Sequence, residues 1–309
     1  MRIKLCGLVI WAAMLAAGLV SCQQEDDLPK GVRYPIVFSN ADTRAVADAD
    51  NLKEGFKVYA FVKGNVGSTS FAKNVEYTTQ NVWAFTSPEY WIPNTTYSFK
   101  AFYPKELTAG TLEVQNNSSA QYYTISNFDV VNHQEDILVA SATATVESGS
   151  VPTLGDVNGS KVTLKFQHIL ALVDIKMKSA ISGLTIETVT IGNADNEGAY
   201  SSSTGKWTDT KSGDIEVDSG KALTVGDDFV PVVGDGILVI PASSPGKKYL
   251  SVTASNGKTY KVDFPSDIVW EKGKKYSYTL EIKQSNIVFN EPKVDEWDSE
   301  NATGSVIIK

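Results

Sequence analysis

Apolar and polar residues alternate along most of this chain, and that period of two is the feature that most limits how it can fold. In FKVYAFVK (residues 56–63), TYSFKAFYP (residues 96–104) and KKYSYTLEIK (residues 274–283), every second side chain is apolar or aromatic. Successive side chains of a β-strand point to opposite faces, so each segment predicts a strand with one buried face. No stretch of the sequence sustains a helical heptad. The pattern therefore predicts an all-β protein.

A turn signal supports the same class. Asn256-Gly257 lies between two alternating runs, one made of Leu250, Val252 and Ala254 and the other of Tyr260, Val262 and Phe264. Because Asn-Gly tolerates the positive φ angles of a tight turn, the segment predicts a β-hairpin closed by a type I′ turn.

The apolar face changes parity within KVTLKFQHILALVDIKM (residues 161–177). Val162, Leu164 and Phe166 occupy even positions, whereas Ile169, Ala171, Val173 and Ile175 occupy odd ones. A strand cannot change faces without an irregularity, so this segment predicts a β-bulge or a crossing between sheets near His168.

The chain is long enough for two domains of ordinary size. Residues 142–160 (ATATVESGSVPTLGDVNGS) are rich in Ser, Thr and Gly and poor in large apolar residues, which is typical of a linker or a long exposed loop. We expect an N-terminal domain at residues 31–155 and a C-terminal domain at residues 156–309.

The first residues read as an export signal. Arg2 and Lys4 precede an uncharged, mostly apolar stretch from Leu5 to Val20, too short to span a membrane. The following LVSC resembles a bacterial lipobox, so we expect residues 1–21 to be a signal peptide and Cys22 to be lipidated. The alternative is an ordinary signal peptide without lipid. Because Cys6 would be removed, the exported chain would have no thiol left for a disulfide.

Residues 22–30 form an acidic tether. Their QQEDD resembles the signal that sends lipoproteins to the outer leaflet of the outer membrane in Bacteroidetes-type bacteria, although a plain solvated tether has the same composition. The resemblance implies a surface-exposed protein of the outer membrane.

Net charge and chemistry exclude several functions. Without residues 1–21 the chain has 26 basic and 36 acidic residues, a net charge of −10, which argues against nucleic acid as a partner. His133 and His168 are interpreted as structural, and neither G-x-S-x-G nor H-E-x-x-H occurs. The acidic segments GDVNG (residues 155–159) and GNADNEG (residues 192–198) lack the spacing of a calcium loop. We expect no enzyme, no cofactor and no metal.

A set of motifs, in this order, resembles the fimbrillin-like pilins and pilus-associated lipoproteins of Bacteroidetes. After the lipobox come VRYPIVFSNADTRA, FKVYAFV, QEDILVA, LKFQHILALV, WEKGKKYSYTLEI and VDEWDSENATGSVIIK. The resemblance implies two tandem transthyretin-like Greek-key β-sandwiches. It also implies assembly with other pilin subunits by donor-strand exchange, in which an arginine-specific protease removes the first strand and a strand of a neighbouring subunit replaces it.

The sequence itself contains a strand suited to that exchange. Val32, Tyr34, Ile36 and Phe38 alternate on one face. Burying four such side chains contributes on the order of 6–12 kcal/mol, compared with a total stability of about 5–15 kcal/mol for a typical domain. Losing this strand without a replacement would leave the N-terminal domain marginal.

Arginine is confined to Arg2, Arg33 and Arg44, although lysine is abundant throughout. An arginine-specific protease could therefore cut the exported chain only after Arg33 or Arg44. Arg44 follows a polar turn, so we predict cleavage between Arg44 and Ala45. The alternative is a compositional preference for lysine with no link to processing.

The end of the sequence supplies a candidate donor strand. Val306, Ile307 and Ile308 form a short β-prone segment, suited either to donation or to the last strand of the C-terminal domain. Two functions remain open: a structural or accessory pilus subunit that serves adhesion, or a monomeric surface lipoprotein that binds glycan or host protein. The five tryptophans after the signal peptide favour a core role over sugar stacking.

Overall fold

The computed structural model describes residues 35–40, 52–64, 67–79, 82–117, 120–147, 161–226, 228–241, 247–265, 269–290 and 292–297. Its named elements are all β-strands, which confirms the all-β class predicted from the alternation. Within these residues, no helix has the length and apolar character needed to span a membrane.

Twenty strands follow one another in the described part of the chain. They are β1 (Val37–Asn40), β2 (Phe56–Gly64), β3 (Gly67–Tyr77), β4 (Trp83–Phe85), β5 (Thr95–Tyr103), β6 (Thr111–Asn116), β7 (Gln121–Asp129), β8 (Leu138–Val146), β9 (Lys161–Leu164), β10 (Gln167–His168), β11 (Ala171–Ser179), β12 (Leu184–Ser201), β13 (Lys206–Leu223), β14 (Val230–Pro231), β15 (Ile237–Val239), β16 (Tyr249–Ala254), β17 (Thr259–Asp263), β18 (Lys274–Ile282), β19 (Ile287–Phe289) and β20 (Lys293–Glu296).

Eight of these strands form one sheet, in the order β10-β8-β5-β2-β3-β4-β1-β9. The two end strands of this order, β9 and β10, are separated by only two residues of chain, Lys165 and Phe166. The sheet therefore wraps round its own interior, which we call the first core. The predicted inner faces of β2 and β5 point into it, including Val58, Ala60 and Phe99.

The remaining strands enclose a second core. One six-stranded sheet has the order β14-β11-β18-β19, with β15 added to β11 and β20 to β18, and the other has the order β17-β16-β12-β7-β6, with β13 added to β12. Their inner faces meet at residues such as Ile175, Val189 and Trp270, all fully buried. A sheet on each side of an apolar interior is the arrangement expected of a β-sandwich.

The hairpin predicted at Asn256-Gly257 is confirmed, but the predicted type I′ turn is wrong. β16 and β17 pair in antiparallel register as far as Thr253 and Thr259. The amide of Gly257 donates to the carbonyl of Ala254 at 2.9 Å, and Gly257 has φ +74° whereas Asn256 has no positive φ. The amide of Ala254 also donates to the carbonyl of Lys258 at 3.1 Å. Inside that last pair lie residues 255–257, and only Gly257 needs the left-handed region, so this is the longer hairpin connection with glycine in that position.

The parity change near His168 is confirmed as a crossing between sheets. β9 and β10 belong to the sheet of the first core, whereas β11 pairs in parallel with β18 in a sheet of the second core. The chain therefore changes cores just after His168, and the inward residues change from even to odd positions there.

Sheet membership does not follow chain order strictly. β6 and β7 precede the first core's β8 and β9 in sequence, yet β7 pairs with β12 in a sheet of the second core. The predicted boundary at residue 155 lies outside the described residues, and the division into residues 31–155 and 156–309 stays a prediction. The tandem Greek-key connectivity also stays a prediction.

Candidate strand-exchange site

The strand β1 lies between β4 and β9 in the sheet of the first core. It pairs antiparallel with β4, where Val37 lies opposite Ala84, and in parallel with β9, where Val37 lies opposite Lys161. We call the position between β4 and β9 the slot. Among the described strands, β9 has no ladder partner other than β1. A chain lacking β1 would therefore have unpaired backbone groups on both walls of the slot.

Phe38 fills the inner side of the slot. Its side chain is 0% exposed and its ring meets three other rings edge to face, at centroid distances of 6.3 Å to Phe56, 5.2 Å to Phe85 and 5.4 Å to Phe99. Edge-to-face pairs of this kind add to the free energy gained from burying aromatic area. The three partners come from β2, β4 and β5, so Phe38 links three strands that are distant in sequence.

Ile36 enters the same core two residues earlier. Its side chain is buried, and its amide donates a hydrogen bond to the carbonyl of Glu89 at 2.7 Å. Pro35 forms an antiparallel bridge with Tyr90, so backbone pairing extends beyond the start of β1. Burying the two side chains of Ile36 and Phe38 contributes about 3–6 kcal/mol.

The outer side of the slot is polar. The hydroxyl groups of Ser39 and Thr163 lie 3.2 Å apart, within hydrogen-bonding distance across the parallel pair of β1 and β9. Ser39 and Val37 are half-buried, whereas Ile36 and Phe38 are buried. The alternation predicted for this strand is therefore present in the part of it that the structure describes.

The chain leaves β1 and returns to the body at one end of the first core. Ser39 of β1 lies there among the side chains of Leu52, Phe56, Trp83, Leu164 and Phe166. The indole N–H of Trp83 donates to the carbonyl of Leu52 at 3.2 Å, which holds the returning chain. Residues 41–51 join these two points, and they include the predicted cleavage site. A cut there would separate β1 from the rest of the chain.

Several predicted site residues lie outside the described residues. These are Cys22, Val32, Tyr34, Arg44, Ala45, Val306, Ile307 and Ile308. Their roles stay predictions. Of the predicted exchanged strand, the structure describes Ile36 and Phe38, and it brings both into the first core.

The described chain ends beside His168, a contact that the sequence analysis missed. β20 pairs antiparallel with β18, and the next residue, Trp297, stacks on the ring of His168 with centroids 3.8 Å apart and an interplanar angle of 9°. The Trp297 amide donates to the carbonyl of Gly273 at 3.0 Å. The C-terminal residues from 298 onward, which contain the candidate donor strand, therefore start from a fixed point.

A carboxylate contacts the edge of the His168 ring. Its Nδ1 lies 2.6 Å from Oδ2 of Asp136, and its side chain is 2% exposed. The His168 imidazole is therefore buried and makes its contacts with other residues of the same chain, Asp136 and Trp297. The structural role predicted for His168 agrees with this geometry. The signal that could have pointed to the contact is the tryptophan in VDEWDSE, just past the last alternating segment.

Within the described ranges, no group of three or more His, Cys, Asp or Glu side chains could hold a metal ion. The tryptophans of this part of the chain are not exposed: Trp91 and Trp270 are buried, and Trp83, Trp207 and Trp297 pack partly buried against the cores.

The two cores meet across β5. Its side chains Phe99 and Ala101 point into the first core, whereas Phe102 belongs to the second. The Tyr123 hydroxyl donates to the carbonyl of Ala101 at 3.2 Å, and burial raises the pKa of Tyr123 well above its usual value. Lys100 donates to the carbonyl of Ser202 at 3.3 Å, and burial lowers the pKa of its ammonium group.

Comparison with protein families gives one match. The model of the fimbrillin-like family matches residues 43–297, which is well over half of the chain. Comparison with curated proteins gives no match.

Solved structures share the fold at low sequence identity. A candidate cell adhesion protein from Bacteroides uniformis ATCC 8492 is 20% identical with a TM-score of 0.54, over 87% of this chain and 100% of that chain. One from Bacteroides ovatus ATCC 8483 is 18% identical with a TM-score of 0.55, over 86% and 98%. The tip fimbrial protein Mfa3 from Porphyromonas gingivalis, with a C-terminal truncation, is 10% identical with a TM-score of 0.45, over 86% and 100%.

Proposed function

The chain belongs to the fimbrillin-like family, and on that premise we propose that it is a subunit of a surface fimbria that takes up a strand of a neighbouring subunit in the slot now filled by β1. The family is one of structural pilus and adhesion proteins rather than of enzymes. Membership of this family implies that the protein is located at the cell surface and assembles with other pilin subunits. Processing and strand exchange are the parts we add for this chain.

The observation that carries the proposal is the position of β1. It lies between two strands that are distant in sequence, it buries Ile36 and Phe38 in the first core, and it is joined to the body by residues 41–51. A strand with this connection can be cut free without damage to the remaining sheet. The vacated slot would expose apolar surface and unpaired backbone, which an added strand from another chain can cover.

We propose the following order of events. Cys22 is lipidated and carries the protein to the outer membrane, an arginine-specific protease cuts between Arg44 and Ala45, and the segment that contains β1 leaves the slot. A donor strand then replaces it. Loss without replacement is unfavourable, because the burial of Ile36 and Phe38 is a large share of the stability of a typical domain.

The end of this chain is one candidate for the donated strand. β20 and Trp297 fix the starting point of the C-terminal residues at His168, close to the end of β9, which forms one wall of the slot. Val306, Ile307 and Ile308 would lie at the far end of a segment of about twelve residues, which reaches about 40 Å when fully extended. That length is sufficient to reach a second molecule.

The test is limited cleavage of purified protein with an arginine-specific protease. We expect a body that starts at Ala45 and forms ordered oligomers, as measured by N-terminal sequencing and by size-exclusion chromatography with light scattering. The matched control is Arg44→Lys, which keeps the charge but removes the cut and should stay monomeric. Deleting residues 304–309 should abolish oligomers if the tail of this chain is the donor.

A different result would favour the second function considered from the sequence, a monomeric surface lipoprotein. In that case cleavage would trim the N-terminal tether, and the cut protein would remain a monomer with an unchanged melting temperature. Strand exchange would then be wrong for this chain, although its family membership would stand.

A further inference from the structure

The slot offers one residue of its strand a pocket whose walls are aromatic. Three phenylalanine rings surround Phe38 at interplanar angles of 74° to 89°, so each meets it edge to face. These rings lie on three separate strands of the sheet, and Phe85 and Phe99 are themselves buried. The pocket is therefore built by the fold, and one planar ring occupies it.

This inference rests on the strand exchange proposed above and states what the partner strand must offer. We infer that the slot selects a donor strand with an aromatic side chain at the position of Phe38, and that residues 298–309 are therefore a poor donor for it. The pocket is the specificity determinant, and Phe56, Phe85 and Phe99 are the residues that define it.

The reason lies in what the tail of this chain can offer. Residues 298–309 contain no Phe, Tyr or Trp, and their apolar part is Val306, Ile307 and Ile308. Placing Val306 where Ile36 lies puts Ile308 in the Phe38 pocket, and a shift or reversal of the strand brings in another aliphatic residue. An aliphatic side chain leaves part of the ring volume empty and loses the three edge-to-face contacts.

The outer side of the slot also disfavours the tail as the donor strand. Ser39 places a hydroxyl 3.2 Å from that of Thr163. In the alignment that seats Ile308 in the pocket, the residue at the Ser39 position is Lys309. A lysine there would replace a short hydroxyl with a long charged chain beside β9. The matching donor therefore has an aliphatic residue, an aromatic residue two positions later and a small polar residue after it.

The experiment measures competition for the slot in the full exported chain after cleavage at Arg44. Four fluorescent peptides compete with the resident strand, and fluorescence anisotropy reports their occupancy. They are residues 34–44, residues 298–309, the tail peptide with Ile308→Phe and the tail peptide with Ile307→Phe. The last two have the same composition, but they place the ring on opposite faces of the strand.

We expect the 34–44 peptide to enter and the unsubstituted tail to compete at least tenfold less well. Ile308→Phe should improve competition by the tail peptide at least tenfold. A hydrophobic pocket discriminates by about 10–200-fold against a ligand that lacks even one methylene. Ile307→Phe should give no improvement. Equal competition by the unsubstituted tail and the 34–44 peptide overturns the inference and leaves strand exchange intact.

Two further outcomes separate the inference from the proposed function. If none of the peptides enters, including residues 34–44, strand exchange itself is wrong and the inference falls with it. If the tail with Ile307→Phe gains as much as the tail with Ile308→Phe, the pocket does not select a ring and the inference alone is wrong.

A second measurement uses the uncut chain and does not depend on exchange. Phe38→Ile keeps an apolar side chain in the slot, as the tail would. We expect this substitution to destabilise the native state, so that the ratio of unfolded to native protein rises at least tenfold relative to the unsubstituted chain. Val37→Ile, on the half-buried face of the same strand, should change it less than threefold. Equal effects of the two substitutions would contradict an aromatic pocket.

Discussion

Phe38 is the residue on which the stability of the first core depends most directly. Replacing it with alanine would remove three ring contacts and leave a cavity, so Phe38→Ala should lower the free energy of unfolding by about 3–5 kcal/mol. Urea denaturation of the uncut chain measures this. Val37→Ala, in the same strand but half-buried, should cost less than about 1 kcal/mol, and an equal loss for both would contradict the assignment of faces.

Tyr200 gives a prediction about pH. Burial raises its pKa to about 12, above the usual value of 10. A group whose pKa is raised in the folded state contributes stability that is present below its unfolded pKa and is lost as pH rises toward the folded value. Denaturation measured from pH 9 to pH 12 should therefore show a fall in stability that starts near pH 10. Tyr200→Phe should make that fall shallower, and an unchanged pH profile would contradict burial of this hydroxyl.

At the scale of single residues the sequence predicts which side chains are buried better than it predicts what they touch. Alternation alone places Ile36 and Phe38 on an inner face, and the structure buries both. It gives no hint that Phe85 and Phe99 complete the pocket, because ring contacts between distant strands depend on their order in the sheet. The stack of Trp297 on His168 was missed for the same reason.

At the scale of elements, β1 shows what the local sequence pattern can predict and what it cannot. The sequence predicts a strand there, yet its parallel pairing with β9 joins residues about 124 positions apart and has no local signal. The β16–β17 hairpin is the opposite case, since Asn-Gly marks it directly. Even there the turn type was wrong, because one extra loop residue changes which position needs a positive φ.

β20, the last strand that the structure describes, is held by the residue at its end rather than by its own burial. β20 is a four-residue edge strand with mostly exposed side chains, and Trp297 is the aromatic residue that secures it against His168. Trp297→Ala should therefore raise the amide hydrogen exchange of residues 293–296 at least tenfold while leaving β11 protected. Trp297→Phe keeps a stacking ring and should change exchange much less. Equal exchange in all three proteins would show that the stack does not hold this strand.

At the scale of the whole molecule, the two cores share a wall. The rings of Phe102 and Tyr123, at 5.5 Å, join β5 of the first sheet to β7 of the second core, and Tyr59 stacks on Phe102 at 6.1 Å. Contacts of this kind resist movement between the cores. The proposed assembly into a fibre would require such resistance between the slot and the other end of the subunit.

The fold class follows from sequence because a period of two is a property of every strand. The family predicted from the ordered motifs is also confirmed, because the fimbrillin-like family model matches residues 43–297. Sheet order does not follow, because β6 and β7 join the second core although they precede β8 and β9 of the first. That choice depends on long-range packing, which no local pattern records.

The central claim is that β1 must leave its slot before subunits can join. Val37 and Ala84 lie directly opposite each other in an antiparallel pair, a geometry that brings Cα atoms to about 4.5–5.5 Å and suits a disulfide. In a chain with Cys6→Ser and Cys22→Ser, the double substitution Val37→Cys and Ala84→Cys would lock β1 in place. Both native cysteines of the sequence are then absent.

The decisive measurement is light scattering of this locked protein after cleavage at Arg44, before and after addition of a thiol reductant. Strand exchange predicts that the oxidised protein stays monomeric and that reduction starts assembly, with the cleaved segment that contains β1 released into solution. Oligomers that form equally fast while the disulfide is intact would show that the slot is not where subunits join.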